Sequence, residues 1–314
     1  MGKRKKISIC SGAYNEEKNI QILYDRVLEQ LKKFPQYDYE FIFADNKSTD
    51  NTREVMRRIA ANDKNVKCIF NSNNFGALRS GYNTYLHATG DAIIALVSDL
   101  QDPPELIPQF IEKWEEGYDV VCGVKSKYSD SFFVSSLRKF YYHLLNSISE
   151  TPLIQSFQGF ALYDRKVIDA MKQYHDAVPY IRGLVSEIGF KRCEIPYEQT
   201  ERLHGRSSYN LLSYYDFAMT GFINHSKLPL RLAVFSGIII GFISFLIAMA
   251  YLILKLIYWD TFSFGLAPLI IGMFFLGSIQ LIFIGIVGEY IGAIWTQVKN
   301  KPLVIEEERI NFDP

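Results

Sequence analysis

Ala95-Leu-Val-Ser-Asp-Leu-Gln-Asp-Pro-Pro104 joins an apolar run to three hard oxygen donors, Asp99, Gln101 and Asp102, and then to two prolines. Residues 91–97 (Asp-Ala-Ile-Ile-Ala-Leu-Val) read as a strand buried on both faces, the pattern of a parallel sheet covered by helices on either side. Pro103 or Pro104 suits the first turn of a helix, where a missing N–H leaves no hydrogen bond unmade. Carboxylates at such a junction sit on the C-terminal rim of a sheet, where an α/β fold holds a divalent cation and a phosphate. Asp99 and Asp102 could equally cap the helix that begins at Pro103, so the flanking chain has to separate the two readings.

Working outward, strand and helix signals alternate. Ile7 to Ser11 is a short apolar strand, Glu16 to Phe34 carries helical spacing through Ile20, Leu23, Val27 and Leu31, and Tyr39 to Ala44 is a second strand. Thr49 or Asp50 caps a helix through Ala60, Val66 to Phe70 is a third strand, and Gly76 to Ala88 is helical. A helix from Pro103 to Glu116 and a strand from Asp119 to Val124 follow. This order predicts an α/β fold with a mostly parallel sheet and helices on both faces. Ligands bind such sheets beyond the carboxyl ends of the strands. Polar groups follow three of them: Tyr14, Asn15 and Glu16; Asp45, Asn46 and Ser48; Asp99, Gln101 and Asp102. No G-x-G-x-x-G follows the first strand and no Walker-type glycine loop is present, so dinucleotide and P-loop chemistry lack their phosphate-binding glycines.

The 314 residues carry 34 basic and 34 acidic side chains, and a formal net charge of zero gives no global field for nucleic acid. Apolar residues concentrate at the C-terminal end. Leu232 to Leu254 and Thr261 to Gly288 contain no charge, and both meet the roughly 20-residue requirement of a membrane-crossing helix. Lys227 and Arg231 precede the first span and Lys299 and Lys301 follow the second, so the positive-inside rule places both ends in the cytoplasm. The basic start, Lys3 to Lys6, leads into an apolar run cut short by Asn15, Glu16 and Glu17, which does not make a signal peptide. Cys10, Cys68, Cys122 and Cys193 form no C-x-x-C pair and read as reduced thiols. The five histidines show no ligand spacing and none is assigned a role.

The stretches Ala13-Tyr-Asn-Glu16, Phe43-Ala-Asp-Asn-Lys-Ser-Thr-Asp50, Asn74-Phe-Gly76, Gly90-Asp91, Ser98-Asp-Leu-Gln-Asp-Pro-Pro-Glu105, Tyr180-Ile-Arg-Gly183 and Tyr197 to Tyr209 carry a resemblance over nearly the whole chain. With the two spans and Gly288-Glu-Tyr-Ile-Gly292, the chain resembles the family 2 inverting glycosyltransferases, and among them the membrane-anchored polyprenyl-phosphate glycosyltransferases related to dolichol-phosphate mannose synthase. The resemblance implies a GT-A nucleotide-diphospho-sugar transferase fold. It places Ala13, Tyr14, Asn15, Glu16, Asp45, Asn46 and Ser98 at the nucleotide, with Tyr14 against the base and Asp45 accepting a hydrogen bond from it. It also implies that Asp99 and Gln101 hold Mg2+ or Mn2+ on the diphosphate and that Asp99 and Arg202 serve catalysis. A homo-oligomer in the bacterial plasma membrane is expected, divided into a catalytic domain (1–208), an interfacial segment (209–231), a transmembrane hairpin (232–288) and a cytoplasmic tail (289–314).

Several positions depart from the common pattern. Val97 stands where many relatives carry the first Asp of Asp-x-Asp, Asn46-Lys47 where Asp-Gly is common, and Gly12 where Pro is common. Gly159 and Ala161 replace a frequent Asp and Arg, and Gln199 and Ser208 replace frequent basic residues.

On the acceptor side, Arg202, Arg206 and Ser207 beside Gly205 form a cationic segment suited to clamping a phosphate, since guanidinium groups bind its oxygens bidentately. Tyr209 to Phe222 is amphipathic and aromatic, as an interfacial helix would be, and Phe132 to Tyr142 offers a second such run. No general base is evident, which suits a polyprenyl phosphate, because that acceptor already presents an anionic oxygen. The reading is transfer of a sugar, of UDP-linked glucose or N-acetylglucosamine type, to polyprenyl (undecaprenyl) phosphate with inversion. A processive polysaccharide synthase would carry Gln-x-x-Arg-Trp and more spans, neither of which this chain has, and Val97 and Asn46 are the sole support for a catalytically silent membrane scaffold.

Overall fold

The computed structural model describes residues 4–127, 154, 156–200, 227–258 and 266–312. They belong to two compact units, one formed by Met1–Ser213 with Asn300–Pro314 and the other by Tyr214–Lys299.

The first unit is built on eight strands: β1 (Lys6–Ala13), β2 (Asp38–Asp45), β3 (Val66–Asn71), β4 (Ala92–Ala95), β5 (Val120–Lys127), β6 (Phe157–Asp164), β7 (Arg192–Glu198) and β8 (Glu306–Ile310). Their order is β7-β5-β6-β4-β1-β2-β3-β8. Strands β4, β1, β2 and β3 run parallel, while β6 runs against β4 and β5, and β8 runs against β3. The mostly parallel α/β architecture expected from the alternation is therefore present. Strand order reverses between β1 and β4, so a crevice opens beyond the ends of those two strands.

Alternation along each strand sends side chains into two separate cores. On β2, Phe41 and Phe43 pack on one face with Ile20, Leu23 and Phe110, whereas Ile42 and Ala44 pack on the other with Tyr82 and Ile168. Phe41 and Phe43 stack at 4.1 Å between centroids. Each side chain of this kind contributes about 1.5–3 kcal/mol by leaving water, which is why both faces must be covered. Helices α1 (Ile20–Leu31), α2 (Thr52–Asn62), α3 (Ala77–His87), α4 (Ile107–Glu115), α5 (Arg165–Met171) and α6 (Ile181–Ile188) supply that cover.

Several elements differ in extent from the sequence reading. Helix α1 starts at Ile20 rather than Glu16, because Asn15 has a positive φ of 57° and the carbonyl of Glu16 closes a turn onto Asn19. Strand β4 ends at Ala95, before the run of apolar residues does: Val97 turns outward, 44% exposed, and the Ser98 hydroxyl turns back to the carbonyl of Gly12. After Pro103 the chain makes a 3-10 turn, Pro104–Leu106, before α4. The tail beyond the second long helix does not stand apart, since β8 completes the edge of the first unit's sheet. Gly90 and Asp91 lie at the opposite end of β4 from the crevice. A Cβ at Gly90 would sit 2.5 Å from the Ser8 hydroxyl, and Asp91 accepts the N–H of Lys6, so this pair of residues serves the packing of β1 on β4. Cys10, Cys68 and Cys122 are buried free thiols and Cys193 is partly exposed; burial pushes all of them up, which keeps them protonated.

In the second unit, α7 (Leu228–Ile257) and α8 (Leu266–Val298) are 30 and 33 residues long. Mean hydropathy over their candidate spans is 2.6 and 2.4, with no part of those spans buried inside the protein. At 1.5 Å per residue, helices of about 45–50 Å exceed the roughly 30 Å hydrocarbon layer of a bilayer. Apolar residues all round such helices suit a lipid solvent.

Candidate nucleotide and metal site

Three loops leave the carboxyl ends of β1, β2 and β4, and each contains one non-glycine residue in the left-handed region: Asn15 (φ 57°), Lys47 (φ 65°) and Leu100 (φ 61°). Asn tolerates that conformation, whereas Lys and Leu adopt it at a cost of about 1 kcal/mol or more. At Lys47 the chain holds this conformation without the glycine that would adopt it freely.

The first two loops are stitched together. The N–H of Asn15 donates to the Ser48 hydroxyl at 2.9 Å, and Asn15 Oδ1 accepts the N–H of Thr49 at 2.8 Å. Glu16 N–H donates to the Thr52 hydroxyl and Glu17 N–H to the carboxylate of Asp50, which also takes the N–H of Thr52 at the start of α2. Register brings Ala13 opposite Asp45, and Asn46 N–H bonds the carbonyl of Ala13. Tyr14 projects from this base, 41% exposed, as a ring available for stacking.

Asp45 is fully buried and its carboxylate is engaged from three sides. It accepts the N–H groups of Lys47 and Ser48 and, at 2.5 Å, Nε of Arg53. Asn46 is buried as well, and its amide holds a neighbouring loop: Nδ2 donates to Asn74 Oδ1, and Oδ1 accepts from Phe75 N–H and Asn71 Nδ2. Asn74 Oδ1 also takes the N–H of Gly76, which has a φ of 86° where α3 begins. The Asn74-Phe-Gly76 stretch is thereby tied to the end of β2.

Across the crevice, Ser98 anchors the third loop to Gly12. Asp99 and Gln101 are both partly exposed, and Asp99 Oδ1 accepts the backbone N–H of Gln101, so one short turn carries a carboxylate and a side-chain amide. Among the described residues no group of three His, Cys, Asp or Glu gathers as a cation site. Two hard oxygen ligands from one turn fit Mg2+ or Mn2+, because Mg2+ is held by one or two protein groups and completes its shell with substrate phosphates and water.

Behind this turn, Asp102 is buried, and burial pushes its carboxyl up to about 6 although the Tyr197 hydroxyl and the charge of Lys125 pull it down. Tyr197 donates to Asp102 at 2.5 Å, and the buried ammonium of Lys125 donates to Gln158 Oε1. Thr200, following β7, places its hydroxyl 2.7 Å from the carbonyl of Leu100 and its N–H on the carbonyl of Gln101. The end of β7 thus clamps the Asp99–Gln101 turn. Arg202, Arg206 and Ser207 lie outside the described residues, as do the aromatic runs at 132–142 and 209–222.

Arg53, Lys125 and Tyr197 were not singled out as site residues from sequence. A lysine directly after the apolar run that ends at Val124 was the available signal for Lys125; Arg53 carried only its place in the first turn of α2.

Residues 8–172 match the family described as Glycosyl transferase family 2. Over its full length the chain is 36% identical to an uncharacterised glycosyltransferase of Bacillus subtilis (strain 168), covering 97% of that protein. It is 33% identical over 98% of its length to the SfII prophage-derived bactoprenol glucosyl transferase of Shigella flexneri, all of which it covers (100%). Among solved structures, the mannosyltransferase PcManGT of Pyrobaculum calidifontis in complex with GDP-Man and Mn2+ is 16% identical, with a TM-score of 0.47 over 95% of this chain and 88% of that one. The family match runs through all three site loops and identity above 30% extends along the whole chain: the protein belongs to glycosyl transferase family 2.

Proposed function

We propose that this protein transfers a glucosyl-type sugar from a UDP-linked donor to a polyprenyl phosphate at the cytoplasmic face of the membrane. The observation that carries the reading is the assembly of the loops after β1, β2 and β4 into one crevice, in a chain similar along its length to a protein called bactoprenol glucosyl transferase. Tyr14 stacks on the base, and the stitched backbone of Asn15 to Ser48 fixes the wall beside it. Asp99 and Gln101 hold Mg2+ or Mn2+, which when bound offsets the charge that grows on the departing nucleoside diphosphate.

A phosphate oxygen of the lipid attacks the anomeric carbon as the bond from that carbon to the UDP oxygen breaks, UDP leaves with the electron pair, and configuration inverts. The acceptor is already anionic, so positioning does the work a general base would do for a hydroxyl. Arg202 follows Thr200 by two residues, and Thr200 is bonded to the metal-ligand turn, which supports the cationic segment as the acceptor-phosphate clamp with Arg206 and Ser207.

Arg202→Ala tests this assignment. Transfer to the lipid phosphate falls strongly while UDP-sugar binding, measured by calorimetry, stays near wild type. Loss of donor affinity would move Arg202 to the donor diphosphate, and equal transfer to a neutral polyprenyl alcohol would defeat the lipid-phosphate reading.

A further inference from the structure

Strand β8 follows α8 in the chain and pairs antiparallel with β3, with Phe70 opposite Glu308. Its three consecutive glutamates take different partners. Glu306 meets Asn83 and Arg309, and Glu308 takes Arg57 through both of its oxygens at 2.5 Å. Glu307 Oε2 bridges two cations, Lys47 Nζ at 3.0 Å and Arg53 Nη1 at 3.1 Å. Arg53 uses its remaining nitrogens on Asp45, at 2.5 Å, and on the carbonyl of Asn71, at 2.7 Å. Asp45 in turn holds the N–H groups of Lys47 and Ser48, and the Ser48 hydroxyl holds the N–H of Asn15 beside Tyr14. A continuous set of polar contacts therefore runs from the last strand of the chain to the wall of the nucleotide pocket.

We infer that Glu307 is a positioning residue for donor binding, acting through Arg53 and Lys47 on the loop from Asp45 to Asp50. The inference rests on the nucleotide-pocket reading given above. Glu307 is about half exposed, and a lone pair in such a setting adds little to stability. Its place is different from that of a lone pair, because one oxygen ties the loop cation to the helix cation that the buried Asp45 also grips. Lys47 has a left-handed backbone, so its side chain gives the bridge a hold on the residue where the loop is strained. Without Glu307 the fold persists, but the loop that carries Ser48 loses its outer tether.

The test uses the full-length protein in detergent, with KM for UDP-glucose, KM for the lipid phosphate and kcat measured separately. Glu307→Gln raises the donor KM by about fivefold, in the range of an ion-pair network. The lipid KM, kcat and melting temperature stay near wild type. Glu307→Asp, which keeps the charge, recovers most of the loss. Glu308→Gln removes the Arg57 pair from the same strand without touching Arg53 and leaves the donor KM unchanged. A wild-type donor KM for Glu307→Gln overturns the inference, as does an equal rise in Glu308→Gln, which would mean that strand docking alone is felt. Tyr14→Ala separates the two levels: a raised donor KM there with none in Glu307→Gln removes only this inference, whereas no rise in Tyr14→Ala removes the pocket reading and the inference with it.

Discussion

The side-chain amide of Asn46 donates a 2.7 Å hydrogen bond to Oδ1 of Asn74, fastening the loop that leads into α3 onto the end of β2. This contact gives the Asn46 amide a donor role that a carboxylate could not fill. A carboxylate there would set acceptor against acceptor, and Asn74 Oδ1 would keep only the N–H of Gly76. Asn46→Asp therefore destabilises the protein, by about 1–3 kcal/mol for a buried polar group left mispaired. A lower melting temperature in thermal unfolding checks it, and an unchanged or higher one would refute the account.

Asp99 is the one carboxylate in the Asp99–Gln101 turn. Asp99→Asn reduces transfer by about a hundredfold or more, as loss of a charge-stabilising group does, with circular dichroism and melting temperature unchanged. Gln101→Ala has the smaller effect, and EDTA abolishes wild-type turnover until Mg2+ or Mn2+ is restored. Full turnover in EDTA would remove the metal from the reaction.

The Tyr197 hydroxyl reaches the buried Asp102 at 2.5 Å from the end of β7. Tyr197→Phe withdraws that donor and costs about 1–3 kcal/mol. Because the same segment clamps the turn proposed to hold the metal, the variant also raises the Mn2+ concentration needed for half-maximal activity. A stability loss with an unchanged metal requirement would confine Tyr197 to packing.

Glu40, on β2, is buried with Lys67 at 2.8 Å and the Ser8 hydroxyl at 2.6 Å. Burial alone would raise its carboxyl, but Lys67, Ser8 and the N–H of Thr89 outweigh burial and hold it below the ordinary 4.5. Between those two values the folded chain binds fewer protons than the unfolded one, so the contribution of Glu40 is present above about 4.5 and is lost as pH falls through the folded value. Glu40→Gln lowers the melting temperature at pH 7 and flattens its decline on acidification. Superimposable acid limbs for the two proteins would contradict this.

By the positive-inside rule, the basic flanks of α7 and α8 lead us to propose that both termini face the cytoplasm. Thr261→Cys reacts with an impermeant thiol reagent added outside intact cells, whereas Asn300→Cys reacts only after lysis. The opposite pattern would reverse the orientation.

The strands that build the centre of the sheet were legible because each is an apolar run between polar stops, as Val66 to Phe70 is, and because burial on both faces leaves no room for charge. The turn that carries Asp99 and Gln101 was legible for the same reason: oxygen-bearing side chains stand out where such a run ends. The boundary itself was not, since Leu96 and Val97 remain apolar after pairing has stopped at Ala95, and composition does not record where a backbone turns away. Asn46 reads as a departure from a motif, yet its meaning depends on Asn71 and Asn74, which only the fold brings near. Strand β8 was hidden altogether: Glu-Glu-Glu-Arg-Ile at a sheet edge is held by cations from elsewhere, so it carries none of the alternation that marks a half-buried strand.

That edge has a consequence for how the molecule is made. A ribosome delivers β3 early and β8 only after both long apolar helices have left the exit tunnel, since β8 lies beyond Val298 in the chain. Throughout that interval the outer edge of β3 presents unpaired N–H and C=O groups, the kind of template on which chains aggregate. Closure of the first unit is thus a late event that reports completion of the second. A chain halted between Tyr214 and Lys299 would carry the loops after β1, β2 and β4 and still keep the outer edge of β3 unpaired.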